Sequence, residues 1–133
     1  MMLYLDNAAT TLKKPLSVYA TLFKSTLFSG GNAGRGGHKM SMDAVRAIVD
    51  TQDLIAQLFN IKKAENIVFT QNATYALNTA ILGTMSNGGH IVVTEMDHNS
   101  VLRPACLPGN YTVVKADKSG YVHAENVEKA VRK

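Results

Sequence analysis

Three features of the sequence predict an α/β fold with a mostly parallel sheet and helices on both faces. From Glu65 onward, short β-rich runs alternate with segments of helical spacing, the rhythm from which parallel sheets are built. Ile91-Val92-Val93-Thr94 lies between Gly88-Gly89 and Glu95 and reads as a strand buried on both faces. Upstream, Val45, Ile48, Val49, Ile55, Leu58 and Phe59 set an apolar stripe along one long helix, and that stripe is read as core.

Taken in order, the chain opens on a short apolar start, residues 2–5, followed by Asp6-Asn7-Ala8-Ala9-Thr10-Thr11 and then Pro15, which suits a loop leading into a helix over 18–28. Five glycines within eight residues, from Gly30 to Gly37, exclude regular structure and demand unusual backbone angles, so another part of the fold must order this loop. Ser41 is the expected N-cap of the long helix, with Asp43 in its first turn. A strand is expected at 66–70, a helix at 75–82 with Gly83 as its C′ residue, and a strand at 90–94. A short segment follows around 100–106, then a strand at 111–115, a turn Asp117-Lys118-Ser119-Gly120 and a helix at 124–132.

Composition narrows the class. The 133 residues are 46% hydrophobic and 18% charged, enough to bury a core and too apolar for a disordered chain. A net charge of +4 would permit nucleic-acid contact, yet the basic residues are scattered apart from Lys13-Lys14 and Lys62-Lys63, so a solvated surface explains them better. One cysteine excludes an internal disulfide framework, no apolar run reaches membrane-spanning length, and Asp6-Asn7 interrupts any signal-peptide pattern. A cytoplasmic protein is expected. His38, His90, His98 and His123 are too dispersed for a zinc site, and the glycine loop lacks the Gly-Lys-Ser/Thr ending of a P-loop.

The segment from Phe69 to Asn78 carries the most chemistry. As strand end, polar turn and helix start, it would aim unpaired helix-opening N–H groups, together with the Thr74 hydroxyl, at a bound phosphate. A plain helix cap by Asn72 or Thr74 accounts for the same residues without a ligand, and the residues alone favour the cap. Ligands in open α/β sheets collect beyond the carboxyl ends of strands. If the strands are parallel, Gln71 to Thr74 and Glu95-Met96-Asp97-His98 share one sheet edge, bringing an imidazole and a phosphate cradle around one pocket.

Four segments in this order, Tyr4-Leu5-Asp6-Asn7-Ala8-Ala9-Thr10-Thr11, Asn32-Ala33-Gly34-Arg35-Gly36-Gly37-His38, Phe69-Thr70-Gln71-Asn72-Ala73-Thr74 and Asp97-His98-Asn99-Ser100-Val101-Leu102, resemble one family from residue 3 to about residue 123. It is the class V, fold-type-I enzymes that use pyridoxal 5′-phosphate (PLP), and within it the cysteine desulfurases. The resemblance implies that Ala73 and Thr74 hold the PLP phosphate and that His98 stacks on the pyridine ring and assists proton transfer, work that suits an imidazole near neutrality. Asn72 stands where many relatives have Gly, so the turn uses either a side-chain cap or a backbone with positive φ. Ala8, Ala9, Thr10 and His38 resemble residues at the substrate end and entrance of the pocket, with structural packing the alternative.

The resemblance also implies an organisation. Residues 1–40 would be an N-terminal segment with a glycine-rich active-site loop, and 41–133 the first part of a PLP-binding α/β domain, truncated. The family's Schiff-base lysine, its acid partner for the pyridine nitrogen and its mobile cysteine are expected beyond residue 133, so the chain alone is expected to be inactive. His38-Lys39 precedes the phosphate turn, whereas the family's lysine follows it, so it is read as loop and helix entry. Cys106, among apolar neighbours, is read as a small buried filler. The implied activity removes sulfur from L-cysteine, yielding alanine and a protein persulfide, with a sulfur-acceptor protein and a homodimer as partners and with neither nucleic acid nor membrane. The alternatives are a class V aminotransferase or lyase acting on another amino acid, and a non-catalytic α/β interaction or assembly domain.

Overall fold

The computed structural model describes residues 3–131, which fall into two units, Met1–Ile67 and Val68–Lys133. In the first, α1 (Leu16–Phe28) begins directly after Pro15, two residues earlier than its spacing predicts. Proline fixes its own φ near the helical value and has no N–H to satisfy, so it tolerates a helix start. No residue of α1 is buried.

The glycine loop is ordered by the helix that follows it. The Asn32 side chain accepts the Gly34 N–H at 2.8 Å, and Gly36 adopts φ 116°. A side chain at Gly31 would collide with the Met40 backbone. The loop therefore lies against the first turn of α2 (Lys39–Leu58). His38, not the expected Ser41, is the N-cap: its extended backbone lets Nδ1 accept the Ser41 N–H at 3.4 Å. Ser41 is thereby the third helical residue, fully buried, and its hydroxyl donates back to the Arg35 carbonyl at 3.2 Å.

Two expectations fail here. The stripe of α2 is not core in this chain, since Ser41 and Ala56 are its buried residues while Leu58 is 77% exposed. Within its unit α2 packs chiefly against the short 3-10 turn Ala64–Asn66, which covers little apolar surface. The strand expected at 66–70 is replaced by that turn and extended chain. Gln52 Nε2 donates to the Ile67 carbonyl at 2.7 Å and the Ile67 N–H turns back to Ala64, so no neighbouring strand pairs there.

The second unit is the α/β part. It runs α3 (Ala73–Met85), β1 (Ile91–Thr94), α4 (Asn99–Cys106), β2 (Tyr111–Val114) and α5 (Ala124–Ala130). β1 and β2 pair in parallel, as the alternation predicts, with Val93 opposite Val113. α3 starts earlier than expected and runs through Gly83, so that glycine is helix interior and not C′. The reversal comes later, at Gly88 and Gly89, whose φ angles of 84° and 131° suit glycine. The last residue expected of α5, 132, lies outside the described residues.

The core of this unit is Val93, Val114 and Ala105, with Ser100 and Pro104 of α4 buried beside them. Only Val93 of β1 is buried, and its neighbours are half-buried, so the strand is covered less than its composition predicts. Cys106 is exposed, contrary to expectation, because it sits at the open end of α4. Its thiol meets the Tyr111 phenol, and that hydrogen bond raises the phenol's pKa.

The expected turn at Asp117 forms around its carboxylate. Oδ1 accepts from the Ser119 hydroxyl at 2.6 Å, the Ser119 N–H at 2.8 Å and the Tyr121 N–H at 3.0 Å. These donors, the Ser119 hydroxyl foremost, lower the Asp117 pKa from 3.8 to about 2. A depressed carboxylate contributes order above its unfolded pKa and loses it as pH falls through its folded one. The Ser119 and Tyr121 amide signals should therefore hold steady down to pH 3.8 and shift with a midpoint at about 2 in an NMR titration; a midpoint at the ordinary carboxylate value would disprove the assignment.

Candidate functional site

The start of α3 is held by a side-chain cap that leaves two backbone N–H groups unused. Asn72 is extended (φ −166°), and its Oδ1 accepts the Tyr75 N–H at 2.8 Å, so the cap is a side-chain cap and positive φ is not used. The Thr70 hydroxyl donates to the Asn72 carbonyl at 3.0 Å and braces the turn. A cap of this kind satisfies the third helical N–H. It leaves the Ala73 and Thr74 N–H groups open, and the Thr74 hydroxyl has no partner among the described residues.

α4 begins by the same device with an imidazole. His98 is its N-cap, and Nδ1 accepts the Ser100 N–H at 3.1 Å. A backbone N–H can only donate, so Nδ1 carries a lone pair and the ring proton resides on Nε2. The Ser100 hydroxyl approaches the same Nδ1 at 2.9 Å, which leaves Nε2 without a partner among the described residues.

α3 and α4 pack against each other, and a missing hydrogen explains part of how. Pro104 lies inside α4 and has no N–H to offer the Ser100 carbonyl four residues back. Asn78 of α3 reaches that carbonyl with Nδ2 at 3.5 Å while also donating to the Thr74 carbonyl at 2.9 Å.

The two helix starts thus enclose one cavity of about 310 Å³ lined by Thr74, Asn78, His98, Asn99, Ser100 and Arg103. The structure brings Thr74 and His98 together here, with Asn72 and Ala73 adjoining in the chain. Its free groups, the Thr74 hydroxyl, His98 Nε2–H, the Asn99 side-chain amide and the Arg103 guanidinium, can each donate a hydrogen bond. Among the described residues no carboxylate lines it. The nearby acids are spent on backbone, Glu95 accepting the Ala116 N–H at 2.6 Å and Asp97 the Thr94 N–H at 2.7 Å. Such a donor set fits an oxyanion. Among the described residues no cluster of His, Cys, Asp or Glu could hold a metal ion, and no helix is long and apolar enough to cross a membrane.

The remaining predicted residues belong to the first unit. Ala8, Ala9 and Thr10 are exposed irregular chain before α1. His38 is the α2 cap, with Nε2 3.1 Å from the Ser41 hydroxyl, so both ring nitrogens are engaged. Asn78, Asn99 and Arg103 were not singled out by sequence reading. Helical spacing puts Asn78 on the face of Thr74 and Arg103 on the face of Asn99, each four residues on, but only the packing of α3 against α4 brings the two faces to one cavity.

A family model described as aminotransferase class-V matches residues 3–133. The chain belongs to that family. Among curated relatives of this class V chain is a probable cysteine desulfurase of Aeropyrum pernix, 39% identical over 105 residues that cover 76% of this chain and 25% of that protein. A probable cysteine desulfurase of Synechocystis sp. is 34% identical over 77% of this chain and 25% of its own. One of Methanothermobacter thermautotrophicus is 32% identical over 96% of this chain and 33% of its own. The chain spans a quarter to a third of the length of these relatives.

Asn72 makes a testable contribution to this site. Asn72→Ala should lower unfolding stability by about 1 kcal/mol and speed amide exchange at Tyr75, whereas Asn72→Asp should keep both near wild type. Denaturant unfolding with amide exchange measures this; an unchanged Tyr75 amide in the alanine variant would show that the cap is not formed.

Proposed function

We propose that this class V chain contributes the phosphate cradle and ring-stacking wall of a PLP site, in an enzyme that takes sulfur from L-cysteine. The single observation that carries this reading is the cavity at which the open end of α3 meets the imidazole of His98. The relatives named probable cysteine desulfurase support the choice of substrate. In the overall reaction the Cβ–S bond of cysteine breaks, a protein thiol takes the sulfur as a persulfide, and alanine leaves. PLP, when bound, supplies an electron sink for bond cleavage at the substrate amino acid.

The chain's own residues would do the following. The Ala73 and Thr74 N–H groups and the Thr74 hydroxyl bind the phosphate end, favoured by the positive end of the α3 dipole. His98 covers one face of the ring. Its Nε2–H is the proton it can present, since Nδ1 holds the α4 cap. Asn78 fixes the spacing of the two helix starts. Residues 41–133 would then be the first part of the PLP-binding domain, and Ala8, Ala9, Thr10 and His38 would belong to the substrate end.

Binding can be measured with pyridoxamine 5′-phosphate, which has no aldehyde and forms no adducts with surface lysines. Thr74→Ala should weaken its binding to the purified chain about tenfold to a hundredfold, and His98→Asn, which keeps a cap acceptor but removes the ring, should weaken it about tenfold. Undiminished binding by Thr74→Ala would sink the cradle. With PLP and L-cysteine, the purified chain should release sulfide no faster than free PLP does; a rate above that background would show that the chain completes the chemistry alone.

A further inference from the structure

The proposed cradle holds a charge that its neutral donors do not balance. A phosphate monoester carries close to two negative charges at neutral pH, and a helix start offers only about half a positive one. Among the described residues the cavity wall contains one charged side chain, Arg103.

Arg103 stands on α4 one turn beyond Asn99, so both residues face the cavity that Thr74 and Asn78 line from α3. Its guanidinium makes no hydrogen bond or ion pair with any described residue. Position in the last turn of α4 offers a second account, namely complementing the dipole at the helix end. That role needs no direct contact, so it leaves the guanidinium, which has no hydrogen-bond or ion-pair partner among the described residues, available to the cavity that it lines. Arg103 shares its cavity with the unpaired Thr74 hydroxyl, His98 Nε2–H and Asn99 side-chain amide, each able to donate, and among the described residues no acid lines it.

We propose that Arg103 is a phosphate-binding residue of this site, supplying the counter-charge to the anion held at Ala73 and Thr74. The proposal rests on the cofactor reading above and adds to it a residue from α4. A planar guanidinium can meet two phosphate oxygens at once, which a lysine ammonium can match in charge but not in geometry. Arg103→Lys should therefore retain part of the affinity that Arg103→Gln loses. The charge also makes binding salt-dependent, more so in wild type than in Arg103→Gln.

The test uses the purified chain, with inorganic phosphate, pyridoxamine 5′-phosphate and phosphate-free pyridoxamine as separate probes, followed by titration and by the Ala73 and Thr74 amide signals. Arg103→Gln should weaken both phosphate-bearing probes by about tenfold to a hundredfold, the range for loss of one charge-assisted hydrogen bond, and leave pyridoxamine unchanged. Arg103→Lys should fall between the two, with circular dichroism and thermal midpoint matching wild type in both variants. Wild-type affinity for both phosphates in Arg103→Gln, alongside loss in Thr74→Ala, would overturn the role of Arg103 and leave the cradle standing. Equal weakening of pyridoxamine and its phosphate would also overturn it, marking Arg103 as merely structural. Binding of neither phosphate by wild type would bring down the cofactor reading and Arg103 with it.

Discussion

The second unit depends on how closely α4 can lie across β1. Ala105 and Pro104 are fully buried, and Val93, Val114 and Ser100 nearly so, so the unit is cored by two strand residues and three small side chains on the helix. A larger side chain at Ala105 would lift α4 from the sheet at a cost of about 1–3 kcal/mol. Because α4 follows β1 after only the segment Glu95-Met96-Asp97-His98, its close seating determines where the imidazole goes. Asp97 and Glu95 tighten that segment by accepting backbone N–H groups on either side. Their carboxylates are thereby withdrawn from the cavity, and the donors that remain can act on an anion.

Much of this was written locally in the sequence. The β1 and β2 runs, the α4 segment and the turn at Asp117 all follow from short-range chemistry: β-branched residues, a cap residue and a carboxylate two residues before a serine. The cap on α3 was legible as Asn72 or Thr74. Choosing between them required the backbone angle at Asn72, which decides whether its side chain reaches Tyr75 or its own residue begins the helix. The failures concern long-range partners. Residues 66–70 have strand composition, but a strand exists only where another strand accepts its hydrogen bonds, and Gln52 takes the Ile67 carbonyl first. The α2 stripe has a core's periodicity without elements in its unit large enough to cover it. Cys106 has apolar sequence neighbours, yet a helix turns residue and neighbour in different directions.

The site divides in the same way. His98 and Thr74 stood out because their residue types are chemically expressive and their positions follow a strand-like run. Asn78 and Arg103 did not, since an Asn or Arg on a helix is usually a solvated surface group. Their significance comes from the meeting of α3 with α4, which spacing within either helix cannot foretell. Where each faces is periodic; what each faces is tertiary.

The proline inside α4 has a consequence for how this segment can change over time. Because Pro104 frees the Ser100 carbonyl and Asn78 supplies the donor that replaces the lost N–H, neither residue has a fixed worth of its own. An alanine at 104 would let the helix satisfy that carbonyl internally and make Asn78 dispensable at this contact. Loss of Asn78 with Pro104 in place would remove the side-chain donor that reaches the Ser100 carbonyl, on a residue that is itself buried. The two positions are therefore epistatic, and their substitutions will not add. Drift at one is permitted only after the other has moved, so a bond absent from one helix constrains the history of its neighbour.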